Sequence, residues 1–293
     1  MENNKDLMFK SGLILVDKPK GISSAAVVAK VKKRFSFNKI GHCGTLDPFA
    51  TGLMILTVGG ATKLGDYWIN SDKKYSGIIK LGLKTTSFDI TGEVTDSHDV
   101  PEISDEILNK LSDNFIGEID QIPPNYSAIK VGGIRSYQRA REGEEFVLNA
   151  RKIKIYSLVL KLISPDEIYF EVSCSKGTYI RSLARDIGDF IGCGACLKEL
   201  RRLSSGDFEV SNSLTLAELL ESDLERILIN VPALFKDFPA IKIDEAQSSF
   251  VKFGTFEKLP LEIRENVHLF DSNDIYLGSF IKIGLDQKFI WNN

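Results

Sequence analysis

The strongest constraint in this chain is a pair of short apolar runs, LILV at 13–16 and LMILTV at 53–58. Neither alternates polar with apolar residues, and a glycine precedes each, so both read as buried strands. Between them, SSAAVVAKVKKRF (23–35) opens with two serines suited to helix capping and continues with the apolar spacing of an amphipathic helix. Further along, KKYSGIIKLGLKT (73–85) alternates as a strand, while residues 104–115 and 177–192 have helical spacing, the second stretch stopping at a glycine. KIKIYSLVLKLISP and EIYFEVSCS read as a strand pair joined near Pro165 and Asp166. Strands neighbour strands without regular βαβ alternation. The pattern therefore predicts an α+β fold with a mixed, largely antiparallel central sheet flanked by helices.

At 293 residues and 43% hydrophobic content, the chain is long enough for one large domain plus a small one, or for two modest domains, and has the apolar residues for a core. Residues 240–293 read as short strands separated by turns such as NDIYLG, a pattern suited to a small β domain. Residues 124–150 are rich in Gly, Arg and Tyr with weak periodicity, and are expected to form a mobile, basic insertion. The net charge of −3 conceals an asymmetry. Residues 205–293 hold 8 Lys+Arg against 15 Asp+Glu, a net of −7, leaving 29 against 25, a net of +4, in 1–204. The basic residues of the first part cluster in KVKKR (30–34), IKVGGIRSYQRAR (129–141), RKIK (151–154) and LKELRR (197–202). Two of these clusters are interleaved with tyrosines, Tyr126, Tyr137 and Tyr156, as a surface that meets phosphates and stacks bases would be.

Other classes of chemistry find little support. Cys43, Cys174, Cys193 and Cys196 are too few and scattered for a disulfide scaffold, and C-x-x-C at 193–196 lacks two further metal ligands nearby. VGGATK is not a phosphate loop, and neither G-x-S-x-G nor H-E-x-x-H occurs. No apolar stretch is long enough to span a membrane, and the first residues lack the apolar run of a signal peptide, so a cytoplasmic protein is expected. The best candidate for a reactive group is Asp47, within HCGTLDPFATG at 42–52. An Asp before a proline is also ordinary turn chemistry, so Asp47 needs support from the rest of the chain.

That support comes from motifs in a fixed order. GHCGTLDPFATGLM resembles the signature of the bacterial tRNA pseudouridine-55 synthases, the TruB family, and four more stretches match in sequence order: VDKPKGISS, DKKYSGIIKLG, PPNYSAIKVGGIRSYQRAREG, and KGTYIRSLARDIG followed by LKELRRLSSGDF. The matches span roughly residues 12–235. The resemblance implies a pseudouridine synthase catalytic domain over 1–235 with an RNA-clamping insertion at about 124–150, and a small PUA-like β domain at 240–293. It also implies the reaction: a T-loop uridine of tRNA is detached from C1′, turned and rejoined through C5, without metal or cofactor. Asp47 matches the catalytic aspartate, and the chemistry agrees, because an ionised carboxylate can stabilise or capture the positive sugar that glycosidic cleavage creates. Attack on the sugar, attack on the ring and removal of a sugar proton all stay open.

The remaining site residues follow by the same resemblance. Arg181 matches an arginine that pairs with the aspartate, Tyr75 the aromatic that stacks on the target base, and Tyr179 and Leu200 further walls of the pocket. His42 matches a histidine that contacts displaced RNA bases, and Lys18 with Pro19 a structural pair beneath the site. Lys130, Arg135, Arg139 and Arg141 of the insertion would meet backbone phosphates. The implied partner is the T arm of tRNA, with no membrane and no obligate protein partner. Two competing readings are a related synthase guided to another RNA and an RNA chaperone; a third, a C-x-x-C redox or zinc protein, predicts bound metal or a response to reduction.

Overall fold

Both apolar runs lie in strands. In the computed structural model, which describes residues 9–127, 130, 131, 134–136, 139 and 148–292, LILV falls in the strand Gly12–Lys18 and LMILTV in Thr51–Val58. The two run antiparallel from Gly12 opposite Val58 to Lys18 opposite Gly52, with Leu13, Ile14, Val16 and Leu53 fully buried. Contacts divide the chain into two compact units, one of Met1–Pro48, Gly52–Asn70 and Val210–Asn293, the other of Phe49–Thr51 and Ser71–Glu209.

In the first unit, Gly12–Lys18 also pairs with the short strands Leu214–Thr215, in parallel, and Ile229–Asn230, antiparallel, while Ile40–His42 lines the other side of Thr51–Val58. The expected helix occupies Ser24–Phe35. The Ser23 side chain accepts from the Ala26 N–H as its cap, and Val27, Val31 and Phe35 form the buried stripe. The C-terminal strands Ala240–Lys242, Val267–Phe270, Tyr276–Ile283 and Asp286–Trp291 form their own four-stranded sheet, covered by the helix Glu245–Phe253 through Val251. Buried Ser11 joins this sheet to the first strand: its hydroxyl donates to the Trp291 carbonyl (2.6 Å) and accepts from the Gly60 N–H (2.8 Å).

The second unit is built on five antiparallel strands in the spatial order Ala195–Ser205, Lys73–Leu81, Glu167–Cys174, Arg151–Ser164 and Gly117–Gln121. The expected strand pair around Pro165 and Asp166 is the hairpin of Arg151–Ser164 with Glu167–Cys174. The helix Ile180–Ile191 buries Leu183, Ala184 and Ile187, and it lies so close to Ala195–Ser205 that a Cβ at Gly188 would sit 2.2 Å from the Ala195 nitrogen. Gly192, in the left-handed conformation, ends the helix. Ala195–Ser205 itself corrects one expectation. LKELRR is not a uniform basic surface, because Arg202 is 2% exposed inside the sheet while Lys198 is committed to Glu167 at 2.5 Å. KVKKR keeps its lysines in solvent, but Arg34 donates to the Leu220 and Ser222 carbonyls at the end of the helix Leu216–Glu221 and serves as a tie within the unit.

Among the described residues, no helix is long and apolar enough to cross a membrane.

Candidate active site

Asp47 lies in the first unit, half-buried, in the loop between Ile40–His42 and Thr51–Val58. Both of its backbone neighbours are held. Before it, Ser24, the first residue of the helix Ser24–Phe35, donates its hydroxyl to the Leu46 carbonyl and accepts the Leu46 N–H, each at 2.9 Å. After it, the Pro48 carbonyl accepts from the Gly21 N–H at 2.7 Å and from the Lys18 ammonium at 3.3 Å. Lys18 is completely buried and also donates to the carbonyls of Pro19 (2.9 Å) and Ile22 (2.8 Å). One cation thus gathers the turn after the first strand and the turn after Asp47, at the cost of desolvating its charge, which the carbonyl dipoles offset. The carboxylate is carried on backbone with little freedom to drift, which is what positioned chemistry needs. His42 ends its strand opposite Leu56 and is half-buried.

The base-facing candidates Tyr75, Tyr179, Arg181 and Leu200 all belong to the second unit. Tyr75 lies opposite Arg202 on one side and Val172 on the other, and Leu200 lies opposite Gly77. Paired positions share a face of a sheet, and so do residues two apart on a strand, so Tyr75, Leu200 and Arg202 all point the same way. Between them, Gly77 admits no side chain: a Cβ there would be 2.1 Å from the Glu199 carbonyl oxygen and 2.8 Å from the Phe170 ring. In the same unit, the Thr51 hydroxyl lies 3.4 Å from the Leu200 carbonyl and receives the Arg201 guanidinium at 3.5 Å.

Arg181 is 7% exposed, in the first turn of its helix. Its guanidinium donates to the carbonyls of Ser87 (3.1 Å) and Tyr126 (2.8 Å) and lies 3.5 Å from the carboxylate of Asp89. The sequence motif pairs Arg181 with Asp47, which belongs to the first unit; the carboxylate beside Arg181 within the second unit is Asp89. Asp89 escaped the sequence reading. It is buried, accepts from the Thr91 N–H (3.0 Å) and hydroxyl (2.5 Å), and organises a loop whose Phe88 adopts φ +62°. Asp89 and Thr91 sit in TSFDITGE, an Asp two residues before a Thr and ahead of a Gly, which is a turn signal that could have marked the loop but not its partner.

Tyr179 precedes the first turn of the same helix, with extended backbone. Its N–H donates to the Gln121 side-chain oxygen at 2.8 Å, and its carbonyl accepts from the Gln121 amide nitrogen at 3.1 Å. Gln121 was also missed by sequence reading, since nothing in QIPPN marks that one amide as buried.

Of the expected phosphate contacts, Lys130 and Arg135 are register partners in the two-residue strands Lys130–Val131 and Ile134–Arg135, Arg139 is half-buried, and Arg141 lies outside the described residues, as do Tyr137 and much of the insertion. The four cysteines are buried and none forms a disulfide. Burial pushes the Cys174 thiol up to about 12 and the Cys196 thiol up to about 11, which suits packing and not nucleophilic or ligand chemistry.

Comparison with known proteins gives this geometry a family. The family profile described as "TruB family pseudouridylate synthase (N terminal domain)" matches residues 32–180, and "tRNA pseudouridylate synthase B C-terminal domain" matches 181–228. A protein named tRNA pseudouridine synthase B from Clostridium tetani (strain Massachusetts / E88) is 41% identical over 244 residues, 83% of this chain and 84% of its own length. Another of that name from Francisella philomiragia subsp. philomiragia is 41% identical over 291 residues, 98% of this chain and 91% of its own. Among solved structures, a chain of "Crystal Structure of a Cbf5-Nop10-Gar1 Complex" superposes with a TM-score of 0.62 at 25% identity, covering 99% of this chain and 89% of that one. The chain belongs to the TruB family of pseudouridylate synthases, isomerases that turn uridine into pseudouridine.

Proposed function

We propose that this synthase acts on the uridine at position 55 in the T loop of tRNA, with Asp47 as the reacting carboxylate. Tyr75 stacks on the extruded base, Tyr179, Arg181 and Leu200 line its pocket, and His42 meets the bases displaced when the uridine leaves the stack. The observation that carries the reading is the hold on Asp47: Leu46 clamped by Ser24 and Pro48 clamped by Gly21 and Lys18, in a chain whose relatives are named tRNA pseudouridine synthase B. A base inside a folded loop is out of reach of a carboxylate, so it must be flipped out; unstacking costs a few kcal/mol, which an aromatic platform such as Tyr75 offsets.

Cleavage of the bond between C1′ and N1 leaves positive charge on the sugar, and Asp47 stabilises or captures it. The base then turns and C5 bonds to C1′; the hydrogen that leaves C5 is balanced by the one N1 gains. No second substrate enters, which is why a single carboxylate suffices where glycoside hydrolysis uses two.

Residues 1–235 form the catalytic domain on this reading, with the insertion at about 124–150 clamping the T arm, and 240–293 form a small PUA-like domain. RNA contact falls on 1–204, where the net charge is +4, and not on the acidic remainder. The enzyme works in the cytoplasm without an obligate protein partner.

The test is incubation of the purified chain alone with an unmodified tRNA transcript, followed by mapping of pseudouridine. Modification at position 55 is the expected result. Modification elsewhere, or only when a guide RNA or second protein is added, overturns the assignment.

A further inference from the structure

We propose that Gln121 is a positioning residue for the isomerisation: its buried side-chain amide holds the backbone of Tyr179, and with it the first turn of the helix that carries Arg181. The proposal rests on the reading of Tyr179 and Arg181 as residues that meet the substrate.

Gln121 is the last residue of the strand Gly117–Gln121 and is 1% exposed. A buried primary amide must find both a donor and an acceptor, and this one finds both on a single residue. Its oxygen accepts from the Tyr179 N–H at 2.8 Å and its nitrogen donates to the Tyr179 carbonyl at 3.1 Å. The side chain acts as a one-residue strand partner for extended backbone, at φ −97° and ψ 109°.

Tyr179 occupies the position where Ser, Thr, Asp or Asn normally caps a helix, and its own side chain makes no capping bond. The helix start is therefore gripped from outside. The grip continues along the same segment: Ser182 donates to the Ile122 carbonyl at 2.8 Å, Arg185 to the same carbonyl at 3.2 Å, and Arg181 to the Tyr126 carbonyl at 2.8 Å. Residues 121–126, which lead directly into the basic segment expected to bind RNA, and the helix bearing Arg181 are thus joined at four side chains, of which only Gln121 reaches across from the strand. Without its amide, Tyr179 keeps a helical partner for its carbonyl, from the Leu183 N–H at 3.0 Å, but loses both bonds that fix the direction in which the chain enters the helix.

The discriminating variant is Gln121→Glu. A neutral carboxylic acid reproduces the amide, one oxygen accepting from the Tyr179 N–H and the hydroxyl donating to the Tyr179 carbonyl. The ionised form loses the donor and sets negative oxygen against the carbonyl, so the helix start is pushed away. Single-turnover rates on unmodified tRNA, divided by the wild-type rate at the same pH and measured well below the melting temperature, should fall about tenfold or more between about pH 6 and about pH 9. The dissociation constant for tRNA should stay within about threefold. Gln121→Leu should be slow at every pH, by about ten- to a hundredfold, and if it does not fold the Glu variant carries the test.

A Gln121→Glu ratio that stays at the wild-type level across this range, or a loss that lies wholly in tRNA affinity, overturns the proposal. Arg181→Lys separates this from the underlying reading. If Arg181→Lys is slow while Gln121→Glu follows the wild-type profile, Gln121 has no positioning role. If Arg181→Lys keeps the wild-type rate, the assignment of the pocket itself is wrong, and the Gln121 proposal falls with it.

Discussion

The buried ammonium of Lys18 lies 3.3 Å from the carbonyl oxygen of Pro48, the residue that follows Asp47. It holds the Pro19 and Ile22 carbonyls as well, so one side chain sets the position of the Asp47 loop relative to the first strand. Lys18→Met should lower unfolding free energy by about 1.5–3 kcal/mol, because the carbonyls lose a charged donor. Lys18→Arg should not restore it, since a planar guanidinium cannot take the place of a compact ammonium among three carbonyls. Urea midpoints of the two variants check this, and wild-type midpoints for Lys18→Met would show that the contact carries nothing.

Asp47→Asn keeps the size of the side chain and one acceptor oxygen, replaces the other oxygen with an NH2 donor, and removes the charge. Pseudouridine formation should cease even with saturating enzyme, while tRNA affinity stays within a few fold. Tyr75→Ala makes the contrast: loss of the stacking platform should cost roughly 1–3 kcal/mol in the flipped state and slow the reaction without abolishing it. Single-turnover assays on unmodified tRNA distinguish the two, and more than a small residue of activity in Asp47→Asn would move the chemistry to another group.

Asp89 and Arg181 form a buried pair at 3.5 Å, with side chains 5% and 8% exposed. Asp89→Ala leaves a desolvated guanidinium without this carboxylate and should destabilise the chain by about 3–5 kcal/mol. Adding Arg181→Met should recover part of that stability and none of the activity. A double-mutant cycle in urea measures the coupling, and additive losses would mean that the two side chains do not interact.

His268 supplies a pH dependence of known sign. Its Nε2 faces the Phe235 carbonyl at 2.9 Å, which can only accept, so the proton is on Nε2 and Nδ1 accepts from the Ser279 hydroxyl at 2.6 Å; Ser279 in turn accepts from the Tyr276 hydroxyl at 2.6 Å. Burial holds the imidazole below its ordinary value of 6.5. The unfolded chain therefore takes up this proton first, and stability contributed by neutral His268 is full above about pH 6.5 and is lost as pH falls toward the folded value. Melting temperature should decline between about pH 7 and about pH 5, and His268→Gln should flatten that slope. Asp166, held below its usual range by Lys80, and Glu218, held down by Thr215, give up their share only below about pH 4.5, outside this window.

Much of the fold was legible in linear order. The strands Gly12–Lys18 and Thr51–Val58, the serine-capped helix Ser24–Phe35 and the hairpin through Pro165 and Asp166 all follow from apolar spacing and turn residues, which are properties of contiguous chain. The strand Ala195–Ser205 was not, because ACLKELRRLSS puts four charged residues into eleven positions, and only pairing with Lys73–Leu81 makes a buried place for Arg202 opposite Tyr75.

Chemistry divides along the same line. The kind of residue available at each motif, a carboxylate at 47, tyrosines at 75 and 179, an arginine at 181, and the family they identify, are written in the chain and need no coordinates. Their partners are not. That Asp89 stands beside Arg181, that Gln121 grips Tyr179, and that Lys18 reaches Pro48 depend on strand register and on turns that bring distant backbone within hydrogen-bonding range. Periodicity carries no information about which remote residue will face a given side chain; register and packing do, because a shift of one residue along its strand would turn Gln121 or Lys18 to the opposite face.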